Sequence, residues 1–189
     1  MKVRTLIVVT ASLLTLALPS GAQANELPPT EVCTVGALAI PEGDPAPEAV
    51  PLVISCFETA TEAEAFIEEG APGDYEQLVD GGSPQGRVAA AATVTIGRVW
   101  TGTSRGGSEL IHWGTGSGCN GVTYGFPTLP SGWNNNIRSA QGYSNCWASH
   151  YDSTSYKGQV LTCAPYCSTM GFLAAKSSSI VYRPVGTFG

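Results

Sequence analysis

The chain has 189 residues, of which only 13% are charged, and its formal net charge is −6. Its nine Lys and Arg form no dense cationic run, which argues against a nucleic-acid surface. Six cysteines and 23 glycines point instead to a chain rich in turns and tied by disulfides.

Lys2 and Arg4 precede an apolar run from Leu6 to Leu18, followed by Pro19-Ser20-Gly21 and Ala22-Gln23-Ala24. A basic start, a short apolar run and a small-x-small site read as a secretory signal peptide over residues 1–24. The run is shorter than the roughly 20 residues a membrane helix needs. The mature chain is therefore expected to be secreted to the extracellular space without a membrane span; the competing reading is an uncleaved anchor. All six cysteines (Cys33, Cys56, Cys119, Cys146, Cys163 and Cys167) follow this segment and read as a disulfide set. Metal ligation competes poorly, because no Cys-x2-Cys exists and His112 and His150 stand far apart.

Residues 25–80 form an acidic segment. Thirteen of the 15 acids lie between Asn25 and Gly86, a stretch without Lys or Arg. Apolar runs at Val32–Ile40 and Val50–Phe57 predict two strands bracketing an acidic turn. Thr59-Ala60-Thr61-Glu62 is a capping box opening a short helix, with Gly70 and Pro72 to stop it. Residues 81–92 read as a Gly/Pro linker. From Val88 onward the balance reverses, with Arg98, Arg105, Arg138, Lys157, Lys176 and Arg183 against Glu109 and Asp152. Opposite charge on the two halves predicts either an association that salt weakens or an acidic face that merely aids solubility. Arg87 at the junction invites trimming, which makes the segment either a pro-segment or a permanent partner.

Residues 93–189 predict a β domain, with strands at Thr93–Val99, Glu109–Trp113, Val122–Phe126, Cys146–Tyr151, Val160–Cys163 and Ile180–Tyr182. An internal repeat is the strongest signal. Trp100 and Gly107 are separated by six residues, as are Tyr151 and Gly158. Each pair is followed by a serine-bearing stretch, Trp133–Ala140 and Ala174–Ile180. Two copies of strand, folded hairpin, strand and serine turn predict a pair of Greek keys.

These residues resemble the βγ-crystallin motif, in which an aromatic opens a folded hairpin, a glycine closes it and a later serine packs over it. The resemblance covers roughly residues 93 to 184 and assigns those roles to Trp100, Gly107 and Ser139, then to Tyr151, Gly158 and Ser179. Cys56-Phe57-Glu58-Thr59 is similar to a segment that precedes such domains in secreted bacterial proteins. The implied fold is mainly β: a two-Greek-key βγ-crystallin-like sandwich after a small acidic β-hairpin plus helix.

The implied role is that of a non-enzymatic extracellular protein, structural or binding, with a secreted protease or a cell-surface component as partner. Some secreted microbial proteins of this fold inhibit metalloproteases, which makes a peptidase inhibitor the alternative. The loop Cys163-Ala164-Pro165-Tyr166-Cys167 is the candidate inhibitory element, and toxins of the fold are a more distant comparison. On this layout Cys33–Cys56 closes the N-terminal hairpin, Cys119–Cys146 staples the first key to the second, and Cys163–Cys167 is a short surface loop. A Cys146–Cys163 bond is the rival.

No cofactor is expected, and Ca²⁺ is the one ion to weigh. Many microbial members bind it through (Asn/Asp)-(Asn/Asp)-x-x-(Ser/Thr)-Ser, which here points to Asn134, Asn135 and Ser178. Both turns are degenerate. Arg138 stands where a ligating hydroxyl belongs, Ala174 and Ala175 replace the Asn/Asp pair, and neither turn supplies a carboxylate.

Other motifs carry less. Gly116–Gly121 fits G-x-G-x-x-G but runs into a strand rather than a helix. Gly102-Thr103-Ser104-Arg105-Gly106 fits G-x-S-x-G without an acid and histidine following in hydrolase order. His150 and Asp152 share a strand face but lack a nucleophile, so no catalytic residue is expected. Trp100, Trp113, Trp133 and Trp147 could stack on sugars, although aromatics in small β domains usually pack inside.

Overall fold

The computed structural model describes residues 31–80 and 92–189. The signal reading of residues 1–24 and positions 81–91 of the linker lie outside them. The described residues form two sheets and two helices, a mainly β arrangement. Strands β1 (Val32–Ala37), β2 (Ile40–Pro41) and β3 (Ile54–Phe57) come first, then α1 (Ala60–Glu68) and α2 (Asp74–Asp80). Next are β4 (Thr93–Trp100), β5 (Glu109–Thr115), β6 (Val122–Phe126) and β7 (Ser139–Gly142). The last four strands are β8 (Cys146–Tyr151), β9 (Val160–Cys163), β10 (Tyr166–Cys167) and β11 (Ser179–Pro184).

The first sheet runs β10-β7-β4-β5-β1-β3 and the second β2-β6-β11-β8-β9. Strands β4 to β7 are one Greek key and β8 to β11 the other. In each key the third strand, β6 or β10, crosses to the partner's sheet. Neither key can complete a sheet without the other, which is why the motif comes in tandem. The inward side chains of both sheets, among them Leu110, Phe126, Ile137, Leu173, Ile180 and Tyr182, make one continuous core.

The N-terminal segment is built into this sandwich. All six residues of β1 are buried, as a near-continuous apolar run requires of a strand covered on both faces. The strand lies parallel to β5, from Val32 opposite Glu109 to Ala37 opposite Gly114. Gly36 is dictated by its neighbour, since a Cβ there would lie 2.1 Å from the Trp113 ring. The run read as one strand over Val32–Ile40 divides. β1 ends at Ala37, the Ala39 amide donates to Thr115 Oγ1 at 3.0 Å, and Ile40–Pro41 pairs with β6 in the other sheet. Apolar periodicity cannot register such a change of sheet, because both pieces are buried or paired.

Thr59 caps α1, with both halves of the capping box formed to Glu62. Gly70, at φ +95°, ends it. Helix α2, absent from the sequence reading, follows directly. Together α1 and α2 place Ala63, Ile67, Ala71, Tyr75 and Leu78 over Ile111 and Trp113 on the outer face of the first sheet. Docking is thus apolar, with a backbone ladder beside it. Charge adds Arg98, which bridges Glu64 of α1 and Glu109 of β5, the only ion pairs among the described residues. The expected electrostatic attraction between the halves is therefore a minor part of their contact.

Candidate functional site: the hairpin end of the sandwich

Trp100 ends β4, and the chain folds back at once. Thr101 N donates to Ser108 O (3.1 Å), Gly102 N to Gly106 O (2.7 Å) and Ser108 N to Thr101 Oγ1 (3.0 Å). The tight return places Ser104, Arg105 and Gly107 at φ of +52°, +65° and +80°. At Gly107 a Cβ would also meet Thr101 Oγ1 at 2.4 Å, so glycine is required twice over. Ser139, fully buried, latches the hairpin: its Oγ donates to Gly102 O (2.7 Å) and accepts from Arg105 N (3.1 Å).

The second key repeats this bond for bond. Asp152 N donates to Gln159 O (3.1 Å), Gln159 N to Asp152 Oδ1 (3.0 Å) and Ser153 N to Lys157 O (3.2 Å). Ser155, Tyr156 and Gly158 stand at φ of +53°, +59° and +84°. Ser179 Oγ donates to Ser153 O (2.7 Å) and accepts from Tyr156 N (3.0 Å). Exchanged third strands plus two serine-latched hairpins decide the architecture. This is a βγ-crystallin-type fold.

Solved structures similar to this chain include the following two. The N-terminal domain of protein S overlaps at TM-score 0.37 and 16% identity, over 49% of this chain and 100% of that one. A structure described as "Evolution of the eye lens beta-gamma-crystallin domain fold" overlaps at TM-score 0.38 and 14% identity, over 52% and 94%. No protein-family pattern and no curated protein matches this chain.

The serine turns of the βγ-crystallin-type domain lie back to back between the hairpins. Asn135 N donates to Ser177 O (2.9 Å) and Ala175 N to Ile137 O (2.8 Å). Asn135 and Ala175 share a left-handed backbone, φ +58° and +56°. Asn135 and Ser178 come together, with Ser178 Oγ donating to Asn135 Oδ1 at 3.4 Å. Asn134 is exposed, and its backbone N–H donates to Pro130 O at 3.1 Å. Arg138 extends over the first turn, where its Nη1 donates to both Thr101 O and Asn136 Oδ1 at 3.0 Å.

The fold type implies Ca²⁺ at such turns, and the side chains here do not fit it. One place holds a guanidinium and a side chain without oxygen, Ala175. The other offers two neutral oxygens already bonded to each other, whereas Ca²⁺ takes six to eight oxygens, usually with carboxylates. Asp152, in the adjoining hairpin, is engaged through Oδ1 with Gln159 N (3.0 Å) and Ser153 Oγ (3.1 Å). Elsewhere among the described residues, the only grouping of three potential ligands is Glu31, Cys33 and Cys56. Its two sulfurs are bonded to each other.

The six cysteines form Cys33–Cys56, Cys119–Cys146 and Cys163–Cys167. Such a set belongs to an oxidising compartment. The last bond closes a loop whose Ala164 and Pro165 are exposed, and this loop is fastened to the first hairpin. Gly142 N donates to Pro165 O and Ser104 N to Ser168 O, both at 2.8 Å. The Arg105 guanidinium lies 4.3 Å from the Tyr166 ring centroid, and its Nε donates to Gln141 Oε1 at 2.9 Å. Hairpin and disulfide loop thus present one fixed surface. The sequence reading singled out the loop but missed Arg105 and Gln141, because nothing local marks a contact between positions so far apart in the chain.

His112 and His150 are fully buried between the sheets, and Asp152 belongs to its hairpin, so the pair His150/Asp152 forms no working unit. Burial pushes both imidazoles down to about 3, and for His112 the neighbouring His150 adds to the effect. His150 Nδ1 lies 3.1 Å from Ser177 Oγ, tying the core to the second serine turn. Trp100, Trp113 and Trp133 are buried, and Trp147 packs on Phe188 at 5.2 Å. Three of the four tryptophans are therefore withdrawn from any sugar-stacking surface.

Proposed function

We propose that this is an exported, non-enzymatic binding protein of the extracellular space, whose recognition surface is the hairpin end of the sandwich. One observation carries the reading. The first hairpin and the disulfide loop Cys163–Cys167 are locked together by Arg105, Tyr166 and Gln141, so an exposed surface is held rigid before any partner arrives. Preorganisation of this kind lowers the entropy cost of binding.

The same observation favours a second reading, inhibition of a secreted metalloprotease by the exposed Ala164-Pro165 edge of that loop. An inhibitor needs a segment that enters a protease cleft and resists cleavage, and a loop closed on itself by a disulfide and pinned at Pro165 O and Tyr166 supplies the rigidity. A panel of secreted proteases, including zinc metalloproteases, separates the two. A binding protein leaves their rates unchanged and survives intact. Stoichiometric inhibition of one member, lost on Pro165→Gly, would put the inhibitor first.

A further inference from the structure

The internal repeat relates two places at the hairpin end, and each is closed by the chain's own groups. The correspondence is fixed by hydrogen bonds. Arg138 N donates to Trp100 O at 2.8 Å and Ser178 N to Tyr151 O at 2.7 Å, which makes positions 138 and 178 equivalent. Asn135 and Ala175 match in backbone angle and in bonding to the opposite turn. The Asn135–Ser178 pair therefore has Ala175–Arg138 as its counterpart.

We propose that Arg138 is a built-in cation, holding the first hairpin to the first serine turn as a bound Ca²⁺ would, and making the stability of the protein independent of that ion. A single nitrogen, Nη1, gathers one oxygen from the hairpin, Thr101 O, and one from the turn, Asn136 Oδ1, at equal distances of 3.0 Å. That is how a cation draws together groups from two loops. The guanidinium brings a planar fork of N–H donors and no acceptor. It also repels a second cation from the same oxygens. At the other place the hydroxyl of Ser178 closes directly onto Asn135, so the two halves of the repeat solve one problem in two ways.

The test uses the full mature chain, melted in chelator and in millimolar CaCl₂. Wild type is expected to melt at the same temperature in both. Arg138→Gln should lower that temperature by roughly 2–4 °C in both solutions, the shift expected for loss of one charge-assisted contact in a protein this size. Arg138→Lys, which retains a single cationic nitrogen, should lower it less. The double change Arg138→Ser with Ala175→Asp should create a melting temperature that climbs with CaCl₂ concentration, as binding to the native state alone requires. Aspartate tolerates the left-handed backbone at position 175. A wild type stabilised by CaCl₂, an Arg138→Gln protein as stable as wild type, equal losses for Gln and Lys, or a double variant indifferent to CaCl₂ would each overturn the proposal.

Discussion

Ser139 and Ser179 show how much can rest on one oxygen. Each hydroxyl is buried, donates to a hairpin carbonyl and accepts a hairpin N–H, so replacing it leaves two backbone groups without partners. Ser139→Ala and Ser179→Ala should each cost about 2 kcal/mol, read from urea unfolding. Values near zero would mean that the hairpins hold without their latches. The histidines make a prediction of opposite character. Both fold as neutral rings, pushed from 6.5 down to about 3. The unfolded chain therefore takes up protons first, and their contribution is fully present above about pH 6.5 and drains away as pH falls toward 3. Asp74 works against this trend, since burial raises its carboxyl and favours the folded state in acid. Because neither ring nitrogen of His112 has a hydrogen-bond partner, His112→Leu should change stability at pH 7 by less than about 1.5 kcal/mol. The same variant should remove roughly half of the histidine part of the acid slope. Urea midpoints at a series of pH values would reveal an unchanged slope if the assignment is wrong.

At the scale of elements, the repeat was legible because its requirements are local. An aromatic, a glycine forced by φ and sterics, and a serine at a set distance are all visible along the chain, as was the Thr59–Glu62 cap of α1. Strand β7 was not. Ser139-Ala140-Gln141-Gly142 has no β-forming residue, and it is a strand because β4 and β10 bond to its two edges. Helix α2 was hidden by Pro72, which reads as a stop after α1 yet stands just before a new helix that begins at Asp74. Of the contacts that make the candidate site rigid, Arg105 with Gln141 depends on β7 pairing with β4, and Arg105 with Tyr166 on β10 having crossed into the first sheet, neither of which a local pattern encodes. Gly36 is the complementary case, a glycine explained only by the ring beside it. Gly36→Ala should cost about 1–3 kcal/mol by pushing β1 from Trp113, measured as a lowered urea midpoint. An unperturbed variant would show that the ladder has slack.

For the whole molecule, the N-terminal segment is better regarded as a wall of the sandwich than as a charged appendage. Ile111 and Trp113 are fully buried, and it is β1, α1 and α2 that cover them. Cleaving the intact chain at Arg87 with trypsin should leave both pieces together through gel filtration in 1 M NaCl, where surface attraction is screened over roughly 3 Å. Separation in salt but not in dilute buffer would restore the electrostatic account.

The parallel placement of β1 against β5 also has a mechanical consequence. A load applied at residue 31 along the strand axis strains the β1–β5 ladder in shear, so its bonds share the force and must fail together rather than peel open in turn. The Cys33–Cys56 bond extends that load to β3, so the outer strands resist as a single strap. A protein pulled from this end should therefore yield abruptly and at high force, with reduction of that one disulfide lowering the threshold.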